Sequence, residues 1–162
     1  MVINISHSPT ETENLGYGWA ADFRPGWIIG ISGELGAGKT QLVRGLARGL
    51  AITDRIHSPT FALVNEYRRG KQPLFHLDLY RLDTAESILS AGLDEYLYNP
   101  KGIAVIEWYE HFFSPMKDWM QRLDAPSCEY LSAIVPSRPC RLVYIHCINE
   151  SERRIIHEDF SD

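Results

Sequence analysis

Residues 27–50 read WIIGISGELGAGKTQLVRGLARGL and change character twice. WIIGIS at 27–32 is a short apolar run with the pattern of a strand buried on both faces. GELGAGKT at 33–40 fits the whole phosphate-loop pattern: glycine, four residues, glycine, lysine, threonine. QLVRGLARGL follows, with Leu42, Leu46 and Leu50 on one helical face. Strand, glycine loop and helix in that order predict an α/β fold.

The chemistry of the loop follows from its residue types. An anion is held by several backbone N–H groups converging on one point, and glycines let the chain turn that tightly with no side chain in the way. The helix that starts near Lys39 adds the positive end of its dipole. Glu34, Leu35, Gly36, Ala37, Gly38, Lys39, Thr40 and Gln41 are therefore the candidate nucleotide-binding residues. Lys39 is placed to reach β- and γ-phosphates, and the Thr40 hydroxyl to ligate Mg²⁺. A chance glycine turn is the competing reading, and the flanking strand and helix argue against it.

A phosphate loop by itself hydrolyses nothing, because the metal needs about six oxygens and the γ-phosphate needs an oriented water. Three places downstream offer both. HSPT occurs at 7–10 and again at 57–60, and only the second copy lies between the loop's helix and a strand. Thr60 there is a candidate switch threonine that completes the metal shell. Asp78 closes the apolar run LFHL, and Glu107 closes IAVI in the same way. Two acids at strand ends beside a phosphate loop suit one metal ligand and one water-orienting group or base, with the assignment between them open. Lys39, Thr60, Asp78 and Glu107 are the candidate catalytic set, and Thr40, Thr60, Asp78 and Glu107 the candidate Mg²⁺ ligands. Trp108 is a candidate to pack over the nucleotide or to sit in the core. His76 and Arg81 rank lower, as a buried histidine and a surface ion-pair residue by default.

The rest of the chain is organised around this centre. In the first HSPT, Ser8 caps a helix, Pro9 takes its first position and Glu11 closes a capping box, with Thr10 a bystander. Leu15, Trp19 and Phe23 give that helix one apolar face, Gly16 and Gly18 weaken it, and Pro25-Gly26 ends it. FALVNEY at 61–67 and LFHLDLYRL at 74–82 read as strands joined through RRGKQP in a hairpin. Asp83-Thr84-Ala85-Glu86 starts another helix that stops at Gly92, and GIAVIEW at 102–108 is a third central strand. Beyond residue 111 the pattern weakens. FFSPMKDWMQRL suggests a helix, and EYLSAIV and RLVYIHCI suggest strands around PSRP, with His146 and Cys147 as buried strand residues.

Composition bounds the partners. The chain has 162 residues, 44% hydrophobic and 23% charged, which is enough for one domain over 1–162 with a real core. No apolar run approaches the roughly 18 residues of a membrane span, and the first residues lack the pattern of a signal peptide. Both point to a cytoplasmic protein with no membrane partner. Sixteen basic against 21 acidic residues leave a net charge of −5, against strong independent nucleic-acid binding. The RR pairs at 68–69 and 153–154 are expected to be solvated surface. Cys128, Cys140 and Cys147 show no CxxC spacing and predict neither a disulfide framework nor a zinc site.

Taken in series, GELGAGKT, HSPTFALVNEY, FHLDLYRL, AGLDEYL and VIEWYE make the chain resemble the TsaE (YjeE) family of P-loop ATPases, over roughly residues 9–110. The resemblance implies a P-loop NTPase-like three-layer α/β sandwich with a mixed parallel and antiparallel sheet, using ATP and Mg²⁺. It also implies a role in making N6-threonylcarbamoyladenosine at position 37 of tRNA. There the ATPase supports assembly and turnover of the TsaB–TsaD pair, slowly active alone and stimulated by partners, with tRNA involved only indirectly. Carried over, Lys39 and Thr40 are the loop pair, Thr60 the switch threonine, Asp78 the second-strand acid, and Glu107 and Trp108 the IEW pair. Gln41 stands where the family usually has a second threonine, and Tyr109 where it usually has proline. A small-molecule or nucleotide kinase shares the loop but needs a lid that the sequence does not show. A GTPase needs an NKxD-like motif, absent after the third strand. A nucleotide-gated binding module with incidental hydrolysis is the alternative from another class.

Overall fold

The computed structural model describes residues 1–82, 84–111 and 139–160. Seven strands form one sheet in the order β1-β7-β6-β2-β5-β4-β3. They are β1 (Val2–Ser6), β2 (Ile28–Gly33), β3 (Val64–Tyr67), β4 (Leu74–Asp78), β5 (Ile103–Glu107), β6 (Cys140–Cys147) and β7 (Arg153–Phe160). The four central strands β6, β2, β5 and β4 run parallel, while β3 pairs antiparallel with β4, β7 with β6 and β1 with β7. The sheet is therefore mixed, as expected.

Alternation along β2 divides the core. Ile29 and Ile31 face α1 (Pro9–Trp19) and α2 (Lys39–Gly49), where Leu42, Val43, Leu46 and Leu50 complete one apolar layer. Ile28 turns to the other side, with Phe75, Leu77, Ile88, Leu97, Ile106 and Tyr109. That second layer is covered by α3 (Ala85–Ser90), α4 (Asp94–Tyr98) and a 3₁₀ turn at Tyr109–His111. Helices on both faces of a largely parallel sheet bury its strands on both sides, so β2, β4 and β5 are buried at every position.

Several boundaries differ from expectation. The first helix begins at Ser8 as predicted, the Ser8 side chain accepting from the Glu11 amide. It ends at Trp19, well before Pro25, although Trp19 and Phe23 are both buried. Glu11 accepts from the His7 amide, one residue earlier than a regular capping box. FALVNEY is strand only from Val64. Phe61 through Leu63 turn, because the Leu63 amide bonds back to Pro59 and Leu63 takes φ 66°. The third helix is capped by Thr84, whose reciprocal partner is Ser87 in place of Glu86, and Gly92 follows its end at φ 69°. RLVYIHCI is a strand, but His146 is exposed and Cys147 half-buried, because the strand runs out of the core there. FFSPMKDWMQRL, EYLSAIV and Cys128 lie outside the described residues; Cys140 is buried and Cys147 half-buried. Among the described residues no helix is long and apolar enough to cross a membrane.

The weakening expected from Gly16 has a reason. A Cβ on Gly16 would stand 2.3 Å from the Leu42 carbonyl oxygen, and one on Gly45 would stand 1.9 Å from that of Glu13. The glycines let α1 and α2 touch backbone to backbone, which fixes α2 and the loop before it. Gly45→Ala should cost about 1–3 kcal/mol, as overpacking does, and lower Tm by roughly 2–4 °C per kcal/mol. Gly18, where a Cβ would meet nothing within 4 Å, is the control. Gly18→Ala should raise stability by about 0.4–1 kcal/mol. Equal thermal melts for the two variants would refute the close-contact account.

Candidate functional site

The loop leaves β2 at Gly33 (φ 143°) and turns through Gly36 (φ 79°) and Gly38 (φ 105°). Gly38 caps α2 without any side-chain hydrogen bond, so the first amides of the helix have no side-chain partner there. The side chain of Lys39 folds back over the loop, donating to the carbonyls of Gly33 at 2.6 Å and Glu34 at 2.9 Å. Its ammonium also lies 3.8 Å from the centre of the Trp108 ring. Burial lowers the Lys39 pKa, opposed by the charges of Glu107, Glu110 and Asp78.

Both acids stand at the ends of adjacent parallel strands. Asp78 and Glu107 are register partners across β4 and β5, and Ile31, two residues before the loop, is paired with Glu107 across β2 and β5. Sheet pairing thus brings loop and acids to one edge, where α/β sheets bind ligands. The acids then differ in their partners. Glu107 accepts from the Thr40 hydroxyl at 2.9 Å and pairs at 2.8 Å with Nε2 of His76, which is fully buried. Asp78 accepts through Oδ2 from Thr60 at 2.6 Å and Ser58 at 3.0 Å, and through Oδ1 from the Tyr80 amide at 3.0 Å.

These groups line one hollow of about 370 Å³, bounded by Leu35 to Gln41, Ser58, Thr60, Asp78, Tyr80, Glu107 and Trp108. The candidate residues from Leu35 onward are therefore brought together. Glu34 enters only through its carbonyl, its side chain pointing to solvent. Gln41 is tied by its side-chain amide to Glu13 at 2.7 Å, and its carbonyl oxygen accepts from Arg44 at 2.8 Å. Trp108 is half-buried at φ 62° and packs against Tyr80, ring centres 4.8 Å apart. Arg81 sits away from the acids, over the exposed ring of Phe61 at 4.9 Å.

Ser58, Tyr80 and a second hollow were missing from the sequence reading. The hollow, about 210 Å³, flanks the other rim of the loop and is lined by Ser8, Pro9, Thr12, Gly36 to Gly38, Gln41 and Arg153 among others. The first HSPT therefore borders the loop as well as capping a helix. Arg153, expected on the solvated surface, is half-buried and donates from Nε to the Ala37 carbonyl at 3.1 Å. A basic pair at the start of β7 gives no sign of that contact, which depends on where the edge of the sheet lies.

A glycine loop between a central parallel strand and a helix, with acids at the ends of neighbouring strands, defines the P-loop class of α/β proteins. The family model for the threonylcarbamoyl adenosine biosynthesis protein TsaE matches residues 6–130, and the chain belongs to that family. A curated relative from Synechocystis, a tRNA threonylcarbamoyladenosine biosynthesis protein TsaE, is 51% identical over 108 residues, covering 61% of this chain and 64% of its own length. The Bacillus subtilis protein of the same name is 42% identical over 101 residues, 62% of each chain. The Treponema pallidum one is 37% identical over 115 residues, 71% of this chain and 84% of the relative. The chain thus spans just under two thirds of the Synechocystis and Bacillus relatives it matches. Among solved structures, Bacillus subtilis YdiB superposes with a TM-score of 0.65 at 28% identity, over 95% of this chain and 82% of that one.

Proposed function

We propose that the protein is an ATP-binding and hydrolysing component of the machinery that makes threonylcarbamoyladenosine at position 37 of tRNA. In this reading it acts in the cytoplasm and supports assembly and turnover of a TsaB–TsaD transferase. The observation that carries it is the meeting of Thr40, at the end of the phosphate loop, with Glu107 in a hollow shared with Asp78 and Thr60. Residues 1–162 are taken as one ATPase domain, since a single sheet joins β1 to β7.

The donor set suits Mg²⁺: hydroxyls and carboxylates are hard oxygen ligands, and that ion is held by one or two carboxylates plus phosphates. Among the described residues no cluster of three His, Cys, Asp or Glu forms an all-protein cage, in keeping with a site that the phosphates complete. The carboxylates of Asp78 and Glu107 would repel a bare triphosphate; the cation, when bound, neutralises that charge and polarises the γ-phosphate. Thr40 and Glu107 are the pair that would hold it. His76 fixes the Glu107 carboxylate as its buried partner. Asp78, steadied by Thr60, Ser58 and the Tyr80 amide, faces the same hollow from the next strand and is assigned to orient the attacking water. Lys39 would leave the Gly33 and Glu34 carbonyls to meet phosphate oxygens, and the hollow beside Ser8, Thr12 and Arg153 would take the nucleoside end.

The test is ATP hydrolysis measured for the chain alone and with TsaB and TsaD present. Slow turnover alone and stimulation by the pair are expected. Phosphate transfer to a nucleoside acceptor with no partner effect would instead favour a kinase.

A further inference from the structure

Consecutive residues after Ile106 each reach a different level of the phosphate loop. Glu107 bonds Thr40, and the Trp108 ring covers Lys39. Tyr109 fills the space beneath Gly30, where a Cβ would stand 2.5 Å from its ring. Glu110 is buried as well, 2% exposed, and none of the roles above uses it. Its carboxylate accepts a short hydrogen bond from the Ser32 hydroxyl. Burial pushes its pKa up, while that hydroxyl, the Gly33 amide and the Lys39 charge pull it back.

Ser32 and Gly33 are the junction where strand becomes loop. Gly33 is confined there, since a Cβ would stand 2.4 Å from the Ile145 carbonyl oxygen, and its own carbonyl receives Lys39. The carboxyl of Glu110 thus holds the hydroxyl of the last strand residue before the loop glycine. We propose that Glu110 is a positioning residue of the phosphate loop: by holding the Ser32 hydroxyl, one residue before Gly33, it sets the angle at which the loop leaves β2. It acts on a bound triphosphate through the loop and touches neither phosphate nor metal. The assignment rests on the nucleotide-binding reading above.

Two readouts test it on the full chain: the Gly33 amide resonance by ¹⁵N-resolved NMR without nucleotide, and the dissociation constant of fluorescent N-methylanthraniloyl-ATP. The variants are Glu110→Gln, Ser32→Ala, their double variant and Lys39→Met, all at a temperature where circular dichroism shows them folded. The Gly33 amide resonance, one residue beyond Ser32, should shift in Glu110→Gln, where its own sequence neighbours are unchanged. Each single variant should bind the nucleotide about fivefold more weakly, the scale of one hydrogen bond. The double variant should be no weaker than the poorer single, since Ser32→Ala removes the bond and Glu110→Gln strips the same bond of its charge. If Glu110→Gln does not fold, Ser32→Ala reads the same bond from its other end. Affinities within twofold of the parent overturn the proposal whether or not the resonance moves. So does weaker binding with an unmoved Gly33 resonance. Lost binding in Lys39→Met alone leaves the nucleotide reading standing without Glu110; unchanged binding in Lys39→Met overturns both.

Discussion

Asp78→Asn should bind ATP within about threefold of the parent and hydrolyse it roughly a hundred- to ten-thousandfold more slowly, the range for losing a positioned general base. The substitution keeps size and shape. Its amide can still satisfy the Ser58 and Thr60 hydroxyls that Asp78 holds through Oδ2, and its oxygen the Tyr80 amide. What disappears is the negative charge that would align a water's protons. Glu107→Gln should behave differently, because its carboxylate sits on the Thr40 hydroxyl. It should raise the Mg²⁺ concentration needed for half-maximal turnover. Single-turnover kinetics across a Mg²⁺ series separate the two. Normal hydrolysis in Asp78→Asn would place the water-orienting group elsewhere, and an exchange of the two phenotypes would exchange the roles.

Lys39→Met should weaken ATP binding by about a hundredfold, since hydrogen bonds to charged groups contribute roughly 1.5–3 kcal/mol each. The nucleotide-free protein should nonetheless melt no lower than the parent. The folded-state pKa of Lys39 is lowered by burial. A group less basic folded than unfolded costs stability at every pH below its folded pKa, and that cost fades as pH rises through it. Below its folded pKa the parent bears the whole cost, and methionine, keeping the stem without the charge, removes it. Titration calorimetry and thermal melts on the same samples check both halves. Unchanged ATP affinity would overturn the phosphate-loop assignment, and a large drop in Tm would show that the carbonyl contacts outweigh the burial cost.

The central strands were legible because burial on both faces leaves near-continuous apolar runs, as in IIGIS, LFHL and IAVI. The glycine loop was legible because its spacing admits few other uses. The outer strands were not. VINIS lies open along most of its length, with Val2, Ile3 and Ile5 all exposed, and RRIIHEDF is rich in charges, so neither shows the pattern of a core strand. Phe61 misled for the opposite reason: an apolar residue in a β-rich run is 88% exposed, because the turn that carries Thr60 to Asp78 delays the start of the strand to Val64. Glu110 was out of reach of periodicity. It arrives beneath the loop only because Trp108 adopts positive φ and redirects the chain after Glu107.

The direct pairing of Asp78 with Glu107 across β4 and β5 has a consequence for how the protein can vary. The separation of the two acids is inherited from the spacing of neighbouring strands, a few ångströms fixed by backbone hydrogen bonding. The stretch between them, including α3 and α4, can gain, lose or exchange residues without retuning that distance. The chemistry is anchored to the sheet, and the outer connections are free to diversify toward different neighbours.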